Sequence, residues 1–247
     1  MRKRKFLIGA VLGVVASLAI SSVASAAVQN QTYSSVAAKT KQDRKVRGPV
    51  GEFKTDVDTF YAGGFTPAAT QTVLTFDRAF KFDPGNLDEC NPASLVGQPS
   101  GSARSICGDA QVGQGTATVT RLDGVPLPAT VSAFNGVPSG GNPVILLHTD
   151  VAGVTTKPIL TGTLNGNVLT VSVPVTPGTV ITHFDTSINQ IKVKKANKKK
   201  GKPAKYYVSA KCNDRSWDHS ETTTFTDGST KSSSFSQKCK KKPKKKK

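Results

Sequence analysis

Acidic residues, long apolar runs and the residues of familiar catalytic motifs are all scarce in this chain of 247 residues. No stretch reaches the ~20 apolar residues that a helix needs to cross a bilayer. The three histidines, His148, His183 and His219, form no His-x-His or HExxH pattern, so zincin-type chemistry has no support. There is no G-x-S-x-G elbow, no phosphate-cradling glycine loop and no C-x-x-C, which removes α/β-hydrolase, P-loop and thioredoxin-like readings. Nothing indicates a cofactor or a metal, and no catalytic residue emerges. Asp56 and Asp58 lack EF-hand spacing and read as turn chemistry. A sustained 3.6-residue apolar stripe is also missing from residue 27 onward, which argues against a helical architecture.

What is present begins with an export signature. Arg2, Lys3, Arg4 and Lys5 precede the apolar run Phe6 to Ile20, and Ala24-Ser25-Ala26 supplies the small-x-small pattern a signal peptidase accepts. Residues 1–26 are therefore expected to be a signal peptide, cleaved to leave a secreted or envelope-associated chain with no transmembrane span.

The charge is unevenly placed. Eight lysines lie between Lys192 and Lys205, among them Lys194, Lys195, Lys198, Lys199, Lys200 and Lys202. Eight more occupy the end: Lys238, Lys240, Lys241, Lys242, Lys244, Lys245, Lys246 and Lys247. Taking these sixteen and the four at the N-terminus from a net charge of +18 leaves −2 for everything else. Both clusters are pure lysine, a point-charge chemistry that attracts polyanions without reading a nucleic-acid sequence. The expected partner is an anionic cell-wall polymer or acidic polysaccharide. Two blander outcomes stand beside it: lysines that only confer solubility, and a purely structural envelope protein.

Four cysteines, Cys90, Cys107, Cys212 and Cys239, form an even set in an exported chain, which favours disulfides. Of three possible connectivities, Cys90–Cys107 and Cys212–Cys239 is expected because each closes a short, polar, turn-rich loop. In the chain-entropy view each loop contributes about 3 to 3.5 kcal/mol.

Between the ends the sequence reads as strands. Residues 27–48 are polar and are expected to be a flexible lead-in. Short Val-, Thr- and Ile-rich segments then alternate with Gly, Pro, Asn and Asp turns. Asn165-Gly166 and Asp227-Gly228 are hairpin signals, and the first lysine cluster lies between two strand signals as a long hairpin tip. Asn91 to Gly97 suggests a single helical turn. The expectation is an all-β domain over 49–239, an antiparallel two-sheet sandwich (jelly-roll-like) of about ten strands, with a closed barrel as the alternative. Residues 240–247 are expected to be a disordered poly-Lys tail.

One region crowds unlike groups together: Asp214, Trp217, Asp218, His219 and Glu221. Trp217 offers a sugar-stacking surface in a carbohydrate-binding module or carbohydrate-active enzyme, or else packs over the disulfide at Cys212.

Several elements recur in a fixed order: Thr75-Phe76-Asp77 before Cys90, Cys107 with Val112-Gly113-x-Gly115, and Ala133-Phe134-Asn135-Gly136. Tyr206 to Cys212 with Trp217, then Phe225-x-Asp227-Gly228 and Cys239, complete the series. This order resembles a group of exported bacterial all-β proteins with two disulfides. The resemblance implies export, the fold class and the cross-links, and lends no activity.

Overall fold

The computed structural model describes residues 27–85, 87–193 and 205–241. The expected signal peptide and most of both lysine clusters lie outside these residues. The first strands are Ala27–Ala37 (β1), Lys41–Gln42 (β2), Gly48–Pro49 (β3), Phe53–Ala62 (β4), Ala69–Thr75 (β5) and Phe80–Phe82 (β6). After the helix Ser100–Cys107 (α1) come Gln111–Arg121 (β7), Pro126–Ser139 (β8), Asn142–Val151 (β9), Ile159–Asn165 (β10), Val168–Ser172 (β11) and Thr179–Ile188 (β12). The last are Lys192–Val193 (β13), Lys205–Tyr206 (β14), Val208–Ala210 (β15), Ser216–Phe225 (β16), Thr230–Lys238 (β17) and Lys240–Lys241 (β18).

Eleven strands form one antiparallel sheet in the order β1-β4-β12-β7-β8-β9-β10-β11-β5-β16-β17. The sheet curls until its two edge strands lie against each other. That is a nearly closed barrel, not the two-sheet sandwich expected from the sequence. Alternation and turns define strands, but which strands pair across the chain is decided by packing of sequence-distant segments.

The seam is closed by a side chain. Gln237 on β17 reaches across to β1, accepting from the Ala37 N–H at 2.8 Å and donating to the Ala37 carbonyl at 3.0 Å. An amide side chain thus supplies the donor and acceptor that a neighbouring strand would offer, and it blunts two open edges.

The two hairpin signals behave as read. Gly166 and Gly228 adopt φ of 63° and 80° in the turns joining β10 to β11 and β16 to β17, conformations glycine reaches without a Cβ penalty. The first half of the expected flexible lead-in, Ala27–Ala37, is a barrel strand. β1 pairs with β4 along its length, turning Val28, Gln31, Tyr33, Ser35 and Ala37 inward. Its inward face is half polar, so composition disguised it. Likewise Lys240 and Lys241, placed in the expected disordered tail, pair in parallel with Lys41 and Gln42; residues 242–247 lie outside the described residues.

Apolar packing occurs on both sides of the barrel wall. Inside, Phe53, Phe76, Phe80 and Phe82 cluster with ring centroids 4.9–5.9 Å apart. Outside, α1 and the turn Pro92–Leu95 cover Phe134, Val144 and Leu146, tied down by Cys90–Cys107. This explains why β9 reads as a continuous apolar run, since both of its faces are buried. The helix itself was not foreseen, because only Ser100, Ala103 and Cys107 of its eight residues are buried. Its first amide is held by a distant acid, with Ser100 N–H donating to Asp150 Oδ2 at 2.7 Å.

The seam gives a direct prediction. Gln237→Ala should lower stability by about 1–3 kcal/mol in urea unfolding and strip exchange protection from the Ala37 amide. Unchanged protection at Ala37 would show that the seam does not rely on this side chain.

Candidate functional site

The barrel has two unlike ends. Register brings the end of β1, the start of β4 and the end of β12 together, with Ala37 and Ile188 both opposite Phe53. The start of β16 and the end of β17 meet there too, Ser216 opposite Lys238. The long connections emerge at this end. Residues 38–52 carry Lys39, Lys41, Arg44, Lys45 and Arg47 against Asp43 and Glu52. At the opposite end, the connections 63–68, 122–125, 152–158, 173–178 and 226–229 contain one cation, Lys157, and it is bound by Asp150 at 2.6 Å.

Both lysine clusters are rooted at the cationic end. The first is bracketed by β13 and β14, which pair antiparallel (Lys192 opposite Tyr206, Val193 opposite Lys205). From there the chain runs into β15, which pairs with β3 and β6, and then to Cys212, whose N–H donates to the Asp43 carbonyl at 3.0 Å. Cys212 is bonded to Cys239, with Cα atoms 5.8 Å apart. Lys240 follows, its N–H donating to Thr40 at 3.0 Å. Backbone reach and the disulfide together cap the distance between Lys205 and Lys240 at about 35 Å. Lys194, Lys195, Lys198, Lys199, Lys200, Lys202, Lys242 and Lys244 to Lys247 lie outside the described residues; among the named tail lysines, Lys240 and Lys241 are described.

The crowded region around Trp217 is separated by strand alternation. Trp217, His219, Glu221, Thr223 and Phe225 point inward from β16, while Asp214 and Asp218 are exposed. Trp217 is 0% exposed. Its indole N–H donates to the Lys211 carbonyl at 2.6 Å and its ring meets Phe80 edge-on at 5.0 Å. A ring with no open face cannot stack a sugar, so the carbohydrate-contact expectation for Trp217 is corrected to a packing role. It shares the buried cluster of Cys212 and Cys239.

Inside the barrel, sequence reasoning missed a polar group set among apolar walls. A cavity of about 90 Å³ lies between β4–β12 and β9–β11, lined by Val57, Leu74, Leu147 and Val171 with Gln31 and Thr223 on one side. Beside it, Glu221 is fully buried, accepting from the Thr223 hydroxyl. Gln31, with its amide nitrogen turned to the carboxyl, donates to Glu221 Oε2 at 3.0 Å. Burial pushes the Glu221 carboxyl up to about 7. Burial also holds His219 down at about 4, and its Nδ1 accepts from the Asp77 N–H at 3.2 Å.

On the outer wall, Asp56 and Asp58 lie on β4 rather than in a turn. They face His183 and Asp185 of β12. His183 Nδ1 is 2.7 Å from Asp58 and Nε2 is 3.3 Å from Asp185, while Lys54 approaches Asp56 at 3.9 Å and Asp185 at 4.0 Å. Partial burial disfavours the charged ring, but the bonds to Asp58 and Asp185 outweigh it and raise the His183 pKa. Asp56, Asp58 and His183 offer ligand atoms within 4.8 Å of one another, enough for a cation in principle. The cationic partners His183 and Lys54 already serve these carboxylates, so the arrangement is an ion-pair network of the sheet surface.

Among the described residues no helix is long and apolar enough to cross a membrane. No family model matches the chain, and neither the curated proteins nor the solved structures searched contain a match.

The buried pair makes a pH prediction. Glu221 keeps its proton in the fold up to about 7, so its stabilising contribution is full below its ordinary value of 4.5 and is lost as pH rises. His219 stays neutral in the fold down to about 4, so its contribution is full above 6.5 and is lost as pH falls. Between 4.5 and 6.5 the two slopes oppose each other. Glu221→Gln should expose the histidine slope, with the thermal midpoint rising with pH across this window while the parent stays nearly level. Parallel profiles would contradict the buried-carboxyl description.

Proposed function

We propose that the protein is a non-catalytic secreted or cell-surface protein that holds anionic envelope polymers electrostatically. The observation that carries this reading is the shared root of the two lysine clusters. Their described flanks, β13–β14 and β18, emerge at the barrel end that also bears Lys39, Lys41, Arg44, Lys45 and Arg47. A charge gathered at one pole concentrates polyanions far better than the same charge spread over a surface. Two disulfides suit a chain that works in an oxidising compartment.

The mechanism is counterion release. Each lysine that engages the polymer frees a condensed cation, so log affinity falls linearly with log salt concentration. Lysine contributes a strongly hydrated point charge with little geometric demand, which fits retention on a polymer rather than recognition of a base sequence. The carbohydrate-module alternative loses its anchor with the burial of Trp217.

Affinity for a polyanionic resin or wall polymer should drop steeply between about 50 and 500 mM salt. Deleting residues 240–247 should roughly halve the slope of the log–log plot if both clusters engage equally. Binding that is absent, or indifferent to salt, would leave the lysines as solubility devices and overturn the reading.

A further inference from the structure

A concave surface on the cationic end goes beyond diffuse attraction. Four separate segments build its walls: Arg47 before β3, Arg78 in the β5–β6 turn with Lys81 on β6, Asn142 at the β8–β9 hairpin, and Asn167 at the β10–β11 hairpin. The cleft encloses about 380 Å³ and is open to solvent, with Phe80, Phe82, Pro143 and Leu164 along its apolar side.

The cations are held in place by the fold. Arg47 Nε donates to the Ala79 carbonyl at 3.2 Å and Nη2 reaches the Arg78 carbonyl at 3.5 Å, pinning the guanidinium to the turn. Two of its five N–H groups are used this way, so the others remain to meet a ligand. Arg78 is exposed, and Lys81 has Asp83 at 3.6 Å. Asp77, in the same turn, has both oxygens engaged, accepting from the amides of Ala79 (2.7 Å) and Asp218 (3.2 Å). Two arginines and a lysine thus border one concavity, and no carboxylate lines it.

We infer that this cleft is a specific subsite for a phosphodiester unit of the bound polymer, the arginines taking the phosphate oxygens. The guanidinium fork matches phosphate oxygens in pairs, which lysine cannot do. The inference rests on the polyanion reading and refines it from charge attraction to a chemical class. Arg47, Arg78 and Lys81 would then set which polymer is preferred, and the lysine clusters would supply salt-sensitive affinity common to all.

The test uses the full mature chain and two charge-matched variants. Arg78→Gln/Lys81→Gln alters the cleft at two exposed positions, and Arg44→Gln/Lys45→Gln removes the same charge from exposed positions at the same pole outside it. Binding is measured to a poly(glycerol phosphate) oligomer and to oligogalacturonate of equal charge, near physiological salt. The cleft variant should lose about tenfold in affinity for the phosphodiester, the control variant much less, and the two should be equal towards the carboxylate oligomer. Equal losses of both variants on the phosphodiester would overturn the subsite and leave diffuse attraction in place. A larger loss by the cleft variant on the carboxylate would overturn the phosphate assignment. Failure of the parent protein to bind either oligomer would instead overturn the polyanion reading beneath it.

Discussion

The bond between Cys212 and Cys239 is the constraint on which the cationic end depends. It joins the strand that leaves the first lysine cluster to the residue that precedes the second. Around it gather the features that define the pole: Trp217 buried beneath, Lys240 bonded to Thr40, and β15 locked between β3 and β6. Besides this cross-link, segments entering from residues 38–52, 205–215 and 238–241 are held by short two- and three-stranded pairings and by bonds such as the Trp217 indole to the Lys211 carbonyl. Such pairings are marginal by themselves.

The barrel body separates two unlike ends. Its eleven antiparallel strands run between a cationic end and one whose connections carry a single cation. The His183–Asp58–Asp185 network with Lys54 offsets part of the charge of an acidic patch that also holds Asp56. Inside, burial favours the neutral forms of Glu221 and His219, so this pair carries little charge between about pH 4 and pH 7.

Part of this architecture was legible in the residues. Asn165-Gly166 and Asp227-Gly228 marked their hairpins because the left-handed backbone of such turns favours glycine. The two disulfides followed from loop length and compartment, and the lysine clusters from simple counting. β1 was hidden because its buried face uses Gln31, Tyr33 and Ser35, which carry no apolar periodicity. The choice between sandwich and barrel, the latter being the alternative, was hidden because β12 lies between β4 and β7, and β5 between β11 and β16, pairings set by tertiary packing. The cleft was equally invisible, since Arg47, Arg78, Asn142 and Asn167 are separated in sequence and meet at one hairpin-rich end. Trp217 was read either as a sugar contact or as packing over the disulfide, and alternation sends the ring inward, as in the packing alternative, with Asp214 and Asp218 outward.

The central proposal is that the two lysine clusters, whose described flanks meet at one pole, engage a single polymer chain. Its most direct measurement is affinity as a function of polyphosphate length, for the intact chain and for one ending at Cys239. The intact chain should gain affinity sharply once the polymer is long enough to bridge roots up to about 35 Å apart, through effective concentration, and then level off. The shortened chain should show no such step. Identical length profiles for the two proteins would contradict the account, because they would mean that the clusters never act on the same polymer.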